Sequence, residues 1–213
     1  MARKAVAQEL SRERILEEAR ELFVTRGYRA LTMRSIAKAM GYSHGALYYH
    51  FREKAELFNA LILEDFGILL QRQRQIIVES AVLGVPLLQK LMMEFIRFGL
   101  ENPHHYEIMF MIRDEELRQY SRTEQAKCFD LFATVVRQVI SGMPDKEDQE
   151  YRLPWNLFMS MHGFISHSIH YGQTFELVEQ LAEEHVQLLC SNMVSTAARS
   201  ESSKVSLVNH ESA

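Results

Sequence analysis

Gly41 separates two short apolar runs, and this break constrains the fold more than any other feature of the sequence. In Leu31-Thr-Met-Arg-Ser-Ile-Ala-Lys-Ala-Met-Gly-Tyr-Ser-His-Gly-Ala-Leu-Tyr-Tyr-His-Phe51, apolar residues recur at helical spacing on both sides of it. Glycine takes a positive φ without steric cost, so a sharp turn is expected there. A helix over about 33–40 follows the cap candidate Thr32, and another over about 44–50 follows Ser43, whose hydroxyl is expected to cap it. Ile36, Ala37, Met40 and Leu47 fall on inward faces, with Ala37 small where the axes must approach. Before them, a helix over about 10–26 carries the stripe Leu10, Ile15, Leu16, Ala19, Leu22 and Phe23, and Gly27 stands where a left-handed cap is needed. Three helices in this order form a helix-turn-helix.

Helical periodicity continues along the chain, with no alternating strand pattern, and the fold class is all-α. A fourth helix is expected from Glu53–Lys54 to about Val78, and others at about 85–101, 104–111, 115–141, 152–171 and 174–196. Gly84-Val-Pro86, Asn102-Pro103, the polar stretch 141–150 and Gly172 mark the breaks. The expected organisation is an N-terminal helix-turn-helix domain over 1–58, a helical bundle over 59–196, and a Ser-rich tail over 197–213 read as disordered.

The formal net charge of −4 looks unsuited to a nucleic-acid partner until it is divided along the chain. Residues 1–58 hold 11 Lys and Arg against 7 Asp and Glu, whereas 59–213 hold 13 against 21. Phosphate attraction is thus concentrated at the N-terminal end. No apolar run reaches the roughly 18 residues of a membrane helix, and the basic start has no signal-peptide stretch, so a cytoplasmic protein without a membrane partner is expected. The two cysteines, Cys128 and Cys190, lie in apolar helical contexts and read as buried, reduced thiols. Phosphate-binding glycine loops, nucleophile elbows and zinc-protease motifs are all missing, so neither an enzyme nor a cofactor is expected.

The outward residues at the start of the third helix are Ser43, His44, Gly45 and Ala46, where a recognition helix meets base edges. Groups suited to phosphates surround them. Thr32 combines a hydroxyl with the positive end of a helix, Arg34 lies one turn inside, Tyr48, Tyr49 and His50 offer donors and flat faces, and Lys54 adds a charge. Phe51 reads as core, and Tyr48 stands open between core and backbone contact.

The runs Leu22-Phe-Val-Thr-Arg-Gly-Tyr28, Leu31-Thr-Met-Arg-Ser-Ile-Ala37 and Gly41-Tyr-Ser-His-Gly-Ala-Leu-Tyr-Tyr-His-Phe-Arg-Glu-Lys-Ala-Glu-Leu57 resemble the N-terminal domain of the TetR family of repressors. The resemblance implies a homodimer, a palindromic double-stranded DNA operator, and a C-terminal domain that binds a small effector. It also assigns backbone contacts to Thr32, Arg34, Tyr48, Tyr49, His50 and Lys54, and base reading to Ser43–Ala46. Trp155 followed by His162-Gly163 is similar to a C-terminal subtype of the family named for those residues.

Reading a few base pairs per copy demands two copies, and the helices at about 152–171 and 174–196 are more apolar than one core face requires. Leu153, Leu157, Met161, Phe164, Ile165 and Ile169 line the first; Phe175, Val178, Leu181, Ala182, His185, Val186, Leu188, Leu189 and Met193 line the second. Gly163 is expected to allow close helix approach. An effector pocket is expected among Met93, Phe98, Tyr106, Phe110, Phe132, Trp155, Phe158 and His162, favouring a hydrophobic or aromatic ligand, although the same residues also suit a core. His162, His167 and His170 share one broad helix face without the i, i+4 spacing that brings imidazoles together, so no metal is assigned.

Overall fold

The computed structural model describes residues 10–27, 30–112, 115–142 and 146–208, with 115–117, 146, 148 and 192–208 by backbone only. Tyr28 of the family-like motif, the Met193 side chain, the basic start and the end of the tail lie outside the described side chains. Among the described residues the chain is helical throughout: α1 Arg12–Arg26, α2 Met33–Met40, α3 His44–Tyr48, α4 Lys54–Glu79, α5 Val85–Glu101, α6 Pro103–Phe110, α7 Glu115–Val139, α8 Lys146–His170 and α9 Phe175–Val208. The all-α expectation holds.

Two compact units divide these elements. Residues 1–66 and 104–124 form one, and 67–103 and 125–213 the other, so α4 is shared at Phe66/Gly67. This division runs eight residues beyond the boundary read from sequence at 58 and adds α6 from His104 and the start of α7, to Glu124, to the first unit. In that unit Ile15, Leu16, Ala19 and Leu22 of α1 pack with Leu31, Met33, Ile36, Ala37, Leu47, Phe51, Leu57 and Leu61, while Leu10, Phe23 and Met40 are half-buried at its edge.

The turn between α2 and α3 follows its local chemistry. Gly41 is left-handed at φ 77°, ψ 19°. Its N–H reaches the Lys38 carbonyl and that of Tyr42 the Ala37 carbonyl, the paired bonds that close a helix on a glycine. At the end of α1, Gly27 has the expected positive φ of 75°, but ψ 157° takes it out of the left-handed region. There a single bond from its N–H to the Phe23 carbonyl serves as the cap.

In the second unit α5 packs against both α8 and α9. Leu157, Met161 and Ile165 of α8 and Phe175, Val178, Ala182 and Val186 of α9 are buried. A small satellite joins Leu87 and Leu91 of α5 to Val135 of α7. Cys128 and Cys190 are free and buried, and burial pushes their thiols up to about 12 and about 11. Both therefore stay protonated at neutral pH, as buried reduced thiols should.

Two helix ends differ from the sequence expectation. α8 begins at Lys146 instead of about 152 and runs through Pro154. The missing proline N–H leaves only the Glu150 carbonyl without a helical partner, and Glu150 is exposed to water. Of the intervening residues, Glu147, Gln149, Glu150 and Arg152 are good helix formers, enough to carry the weaker Asp148 and Tyr151. α9 continues past 196 to Val208, through a stretch that contains neither glycine nor proline to stop it.

Candidate nucleic-acid interface

Thr32 organises the amino end of α2. Its hydroxyl oxygen accepts from Ser35 N–H at 3.0 Å, while its own N–H donates to Ser35 Oγ, completing a reciprocal capping box. Thr32 is exposed and the cap uses its oxygen as acceptor, so its hydroxyl keeps a donor hydrogen at the positive end of the helix. Arg34 is exposed two residues further on, within the first turn of α2. Lys54, half-buried at the start of α4, donates from Nζ to the Leu31 carbonyl at 3.0 Å, which ties its ammonium to the residue before Thr32.

Ser43, His44 and Gly45 are exposed at the start of α3, and Ala46 is half-buried. Ser43 occupies the cap position with extended backbone but makes no side-chain cap bond, contrary to the expectation that its hydroxyl closes the helix. Its extended backbone is the ordinary geometry of a capping residue, shared with Thr32 at ψ 155°, so the side chain and not the backbone leaves the bond unmade; the Ser43 carbonyl accepts from Ala46 N–H. A Cβ built on Gly45 meets no atom within 4 Å, so packing within the chain does not require glycine there.

Tyr48, left open by the sequence, is 45% exposed and meets the His44 ring edge-on at 4.8 Å. It therefore braces His44 from the outer face of α3. Tyr49 is 90% exposed, His50 is half-buried, and Phe51 is core. Sequence reasoning passed over Arg12, whose Nη1 donates to the His50 carbonyl at 2.9 Å with Cζ 4.0 Å from the centre of the Phe51 ring. It also passed over Arg14, which reaches the Tyr42 hydroxyl at 3.4 Å. Both lie on the polar side of α1, which a search for core stripes ignores.

The arrangement leads to a direct expectation for His44. Changing it to Ala removes a ring held at the reading end of α3, and base preference should relax at one position per half-site by about 1–3 kcal/mol. Competition between duplexes differing at single positions measures this. A uniform loss over all sequences would take His44 out of base reading.

The eight effector candidates fall in different surroundings. Tyr106 and Phe110 belong to the first unit, where their rings pair at 4.8 Å and Phe110 meets Phe66 at 5.3 Å. In the second unit, Phe98 and Phe132 are buried and Met93 is half-buried. Trp155 stacks on Phe129 at 4.0 Å, Phe158 meets Phe95, Phe129 and Trp155, and His162 lies parallel to Phe158 at 6.5 Å. The ladder is thus built from α5, α7 and α8, with Trp155 still 41% exposed. Among the described residues no three His, Cys, Asp or Glu side chains converge as a metal set.

Desolvation holds the His162 imidazole below its ordinary value. The unfolded chain therefore takes up this proton first as the pH falls. The associated stability is complete above about pH 6.5 and is lost as the pH drops through the folded value. Denaturant midpoints across this window should decline towards acid, and less so in His162→Phe; identical declines would mean that other groups set the dependence.

Comparison with known proteins agrees with this geometry. The family described as bacterial regulatory proteins, tetR family, matches residues 15–61, and the tetracyclin repressor-like C-terminal domain matches 88–189. The HTH-type transcriptional repressor AcnR of Corynebacterium glutamicum is 32% identical over 167 residues, covering 73% of this chain and 80% of that protein. The regulator UidR of Escherichia coli is 31% identical over 119 residues, covering 50% and 59%. Among solved structures, the fatty acid degradation regulator FadR of Bacillus halodurans aligns with a TM-score of 0.72 at 18% identity, over 86% of this chain and 97% of that one. FadR of Bacillus subtilis, solved with stearoyl-CoA, aligns at 0.71 and 19% identity, over 85% and 98%. The structural likenesses carry the fold and the sequence matches carry the family. No helix among the described residues is long and apolar enough to cross a membrane. With an exposed recognition helix on a glycine-closed turn and these relatives, the chain belongs to the TetR family of DNA-binding transcriptional regulators and not to an enzyme class.

Proposed function

We propose that this regulator is a cytoplasmic repressor that binds a palindromic operator as a homodimer and is released by a small hydrophobic or aromatic effector. Residues 1–58 read the DNA, and 59–196 dimerise and bind the effector. The observation that carries the reading is the shortness of the reading stretch, Ser43 to Ala46, exposed at Ser43, His44 and Gly45, against the larger set of backbone anchors around it. One copy therefore grips DNA better than it selects it, and specificity calls for a second copy about one helical turn away.

The faces of α8 and α9 turned from their own core support a second copy as the occupant. Met159 on α8 and Leu177, Leu181 and Leu188 on α9 are 59%, 73%, 56% and 60% exposed. These leucines recur at i, i+4 and i+11 along one side of the helix, distinct from the buried Phe175, Val178, Ala182 and Val186. Joining α8 and α9 from two subunits gives a four-helix arrangement. The absence of any side chain within 4 Å of a Cβ at Gly163 is compatible with a partner helix approaching there.

The ladder of Phe95, Phe129, Trp155, Phe158 and His162 favours a ligand with apolar or aromatic surface. The stearoyl-CoA in the Bacillus subtilis relative's structure supports the same class. Selection of bound fragments from the organism's own genomic DNA, followed by footprinting, tests the whole reading. Paired inverted half-sites are expected, with release by members of an apolar ligand panel. Single unpaired half-sites would overturn the dimeric palindrome, and indifference to every apolar ligand would overturn the effector class.

A further inference from the structure

We propose that Arg12 is a further DNA-backbone contact whose guanidinium, held at the carboxyl end of the recognition helix by His50 and Phe51, clamps a phosphate beside Tyr49. Arg12 opens α1, a helix that otherwise supports the turn from behind. Its Nη1 donates to the His50 carbonyl at 2.9 Å, and the buried Phe51 ring lies 4.0 Å from Cζ. The side chain is nevertheless exposed. A core arginine would be covered, and a solvated one would lack both contacts.

The chemistry favours an anion. A guanidinium carries several N–H donors on a rigid planar fork, of which the His50 carbonyl takes one, while the aromatic contact draws on the charge and not on the fork. A phosphate presents the paired oxygens that such a fork matches. Because two contacts already restrict the side chain, little conformational freedom remains to be lost on binding DNA. Location supplies the rest. The His50 carbonyl follows Tyr49, the most exposed aromatic of the region at 90%, and the carboxyl end of a recognition helix lies towards the phosphate wall of the groove while its amino end meets the bases.

This inference rests on α3 being the recognition helix, and the experiment separates the two. Affinity of the full chain for a fluorescent duplex of arbitrary sequence is followed from about 50 to about 200 mM salt, because backbone contacts act on any sequence. Each phosphate contact steepens the log–log slope by about 0.9, so one contact per copy accounts for about a 3.5-fold loss over that range. Arg12→Met is expected to bind more weakly at low salt and to flatten the slope by about that amount per bound copy. Arg12→Lys is expected to keep the slope while losing affinity, since it keeps the charge and loses the fork. If Arg12→Met does not fold, Arg12→Gln, which retains a donor for His50, takes its place with the same expectation. An Arg12→Met (or Arg12→Gln) variant that loses affinity on an unchanged slope makes Arg12 only a brace of α3 and overturns the proposal, as does unchanged affinity in that variant. A wild-type chain that binds no duplex would remove the DNA-binding reading itself.

Discussion

Replacing Arg20 with methionine lowers the unfolding free energy by about 3–5 kcal/mol, the usual cost of leaving a buried charge without its partner. Asp65 on α4 is wholly buried, and Arg20 on α1 sends Nη2 to its Oδ1 at 2.7 Å. His105 on α6 lies 3.0 Å from the same oxygen without forming a hydrogen bond, and among the described residues Asp65 Oδ2 and Arg20 Nε have no partner. Arg20 therefore provides the one hydrogen bond to Asp65 that the structure defines, and methionine removes it while keeping most of the side-chain volume. The additional Arg20–Glu64 contact at 3.1 Å is partly exposed and adds little. Urea unfolding of the whole chain measures the loss. The double variant Arg20→Met with Asp65→Leu should recover most of it, since burying neither charge is often as stable as burying both. A loss below about 1 kcal/mol in the single variant would mean that Asp65 is not carried as a buried charge.

Placing glutamates at Leu181 and Leu188 together should turn a dimer into monomers and weaken operator binding by about 10²–10⁴-fold, the advantage that linked half-sites lose when separated. Both side chains are more than half exposed in the single chain, so its own fold tolerates the charges. In the proposed dimer the same positions meet a second apolar face, where unpaired carboxylates are strongly disfavoured. Sedimentation equilibrium reports the mass, circular dichroism the retained helix, and titration of a footprinted site the affinity. A dimer that persists with wild-type affinity would move the interface away from this stripe of α9.

The DNA-binding region was largely legible because its rules are local. Thr32, the stretch Met33–Met40 and Gly41 form a cap, a helix and a stop within ten residues, and each signal depends on neighbours already adjacent in the chain. The exposed stretch from Ser43 to Gly45 followed from the same spacing. Ser43 shows the limit: its residue type favours a cap and its extended backbone allows one, yet its side chain makes no cap bond in the folded chain. Likewise the helix expected from about 152 begins at Lys146 and runs through Pro154, where the one orphaned carbonyl belongs to the exposed Glu150.

The long-range features were not legible. Arg20 looks like any residue on a polar helix face until folding brings Asp65, 45 residues away, within 2.7 Å of it. Arg12 looks equally ordinary until the end of α3 arrives beside it. Nor did aromatic content reveal that Trp155 stacks on Phe129 while Tyr106 and Phe110 belong to the other unit.

By itself, the sequence determined that the chain is helical, where its turn lies and which short stretch faces outward, because periodicity, caps and positive-φ glycines act over a few residues. Only the tertiary structure decided which charges are buried together, which arginine reaches the recognition helix and which leucines remain exposed after the core has closed. Those outcomes depend on distances between residues far apart in the chain, and helical periodicity does not encode such distances.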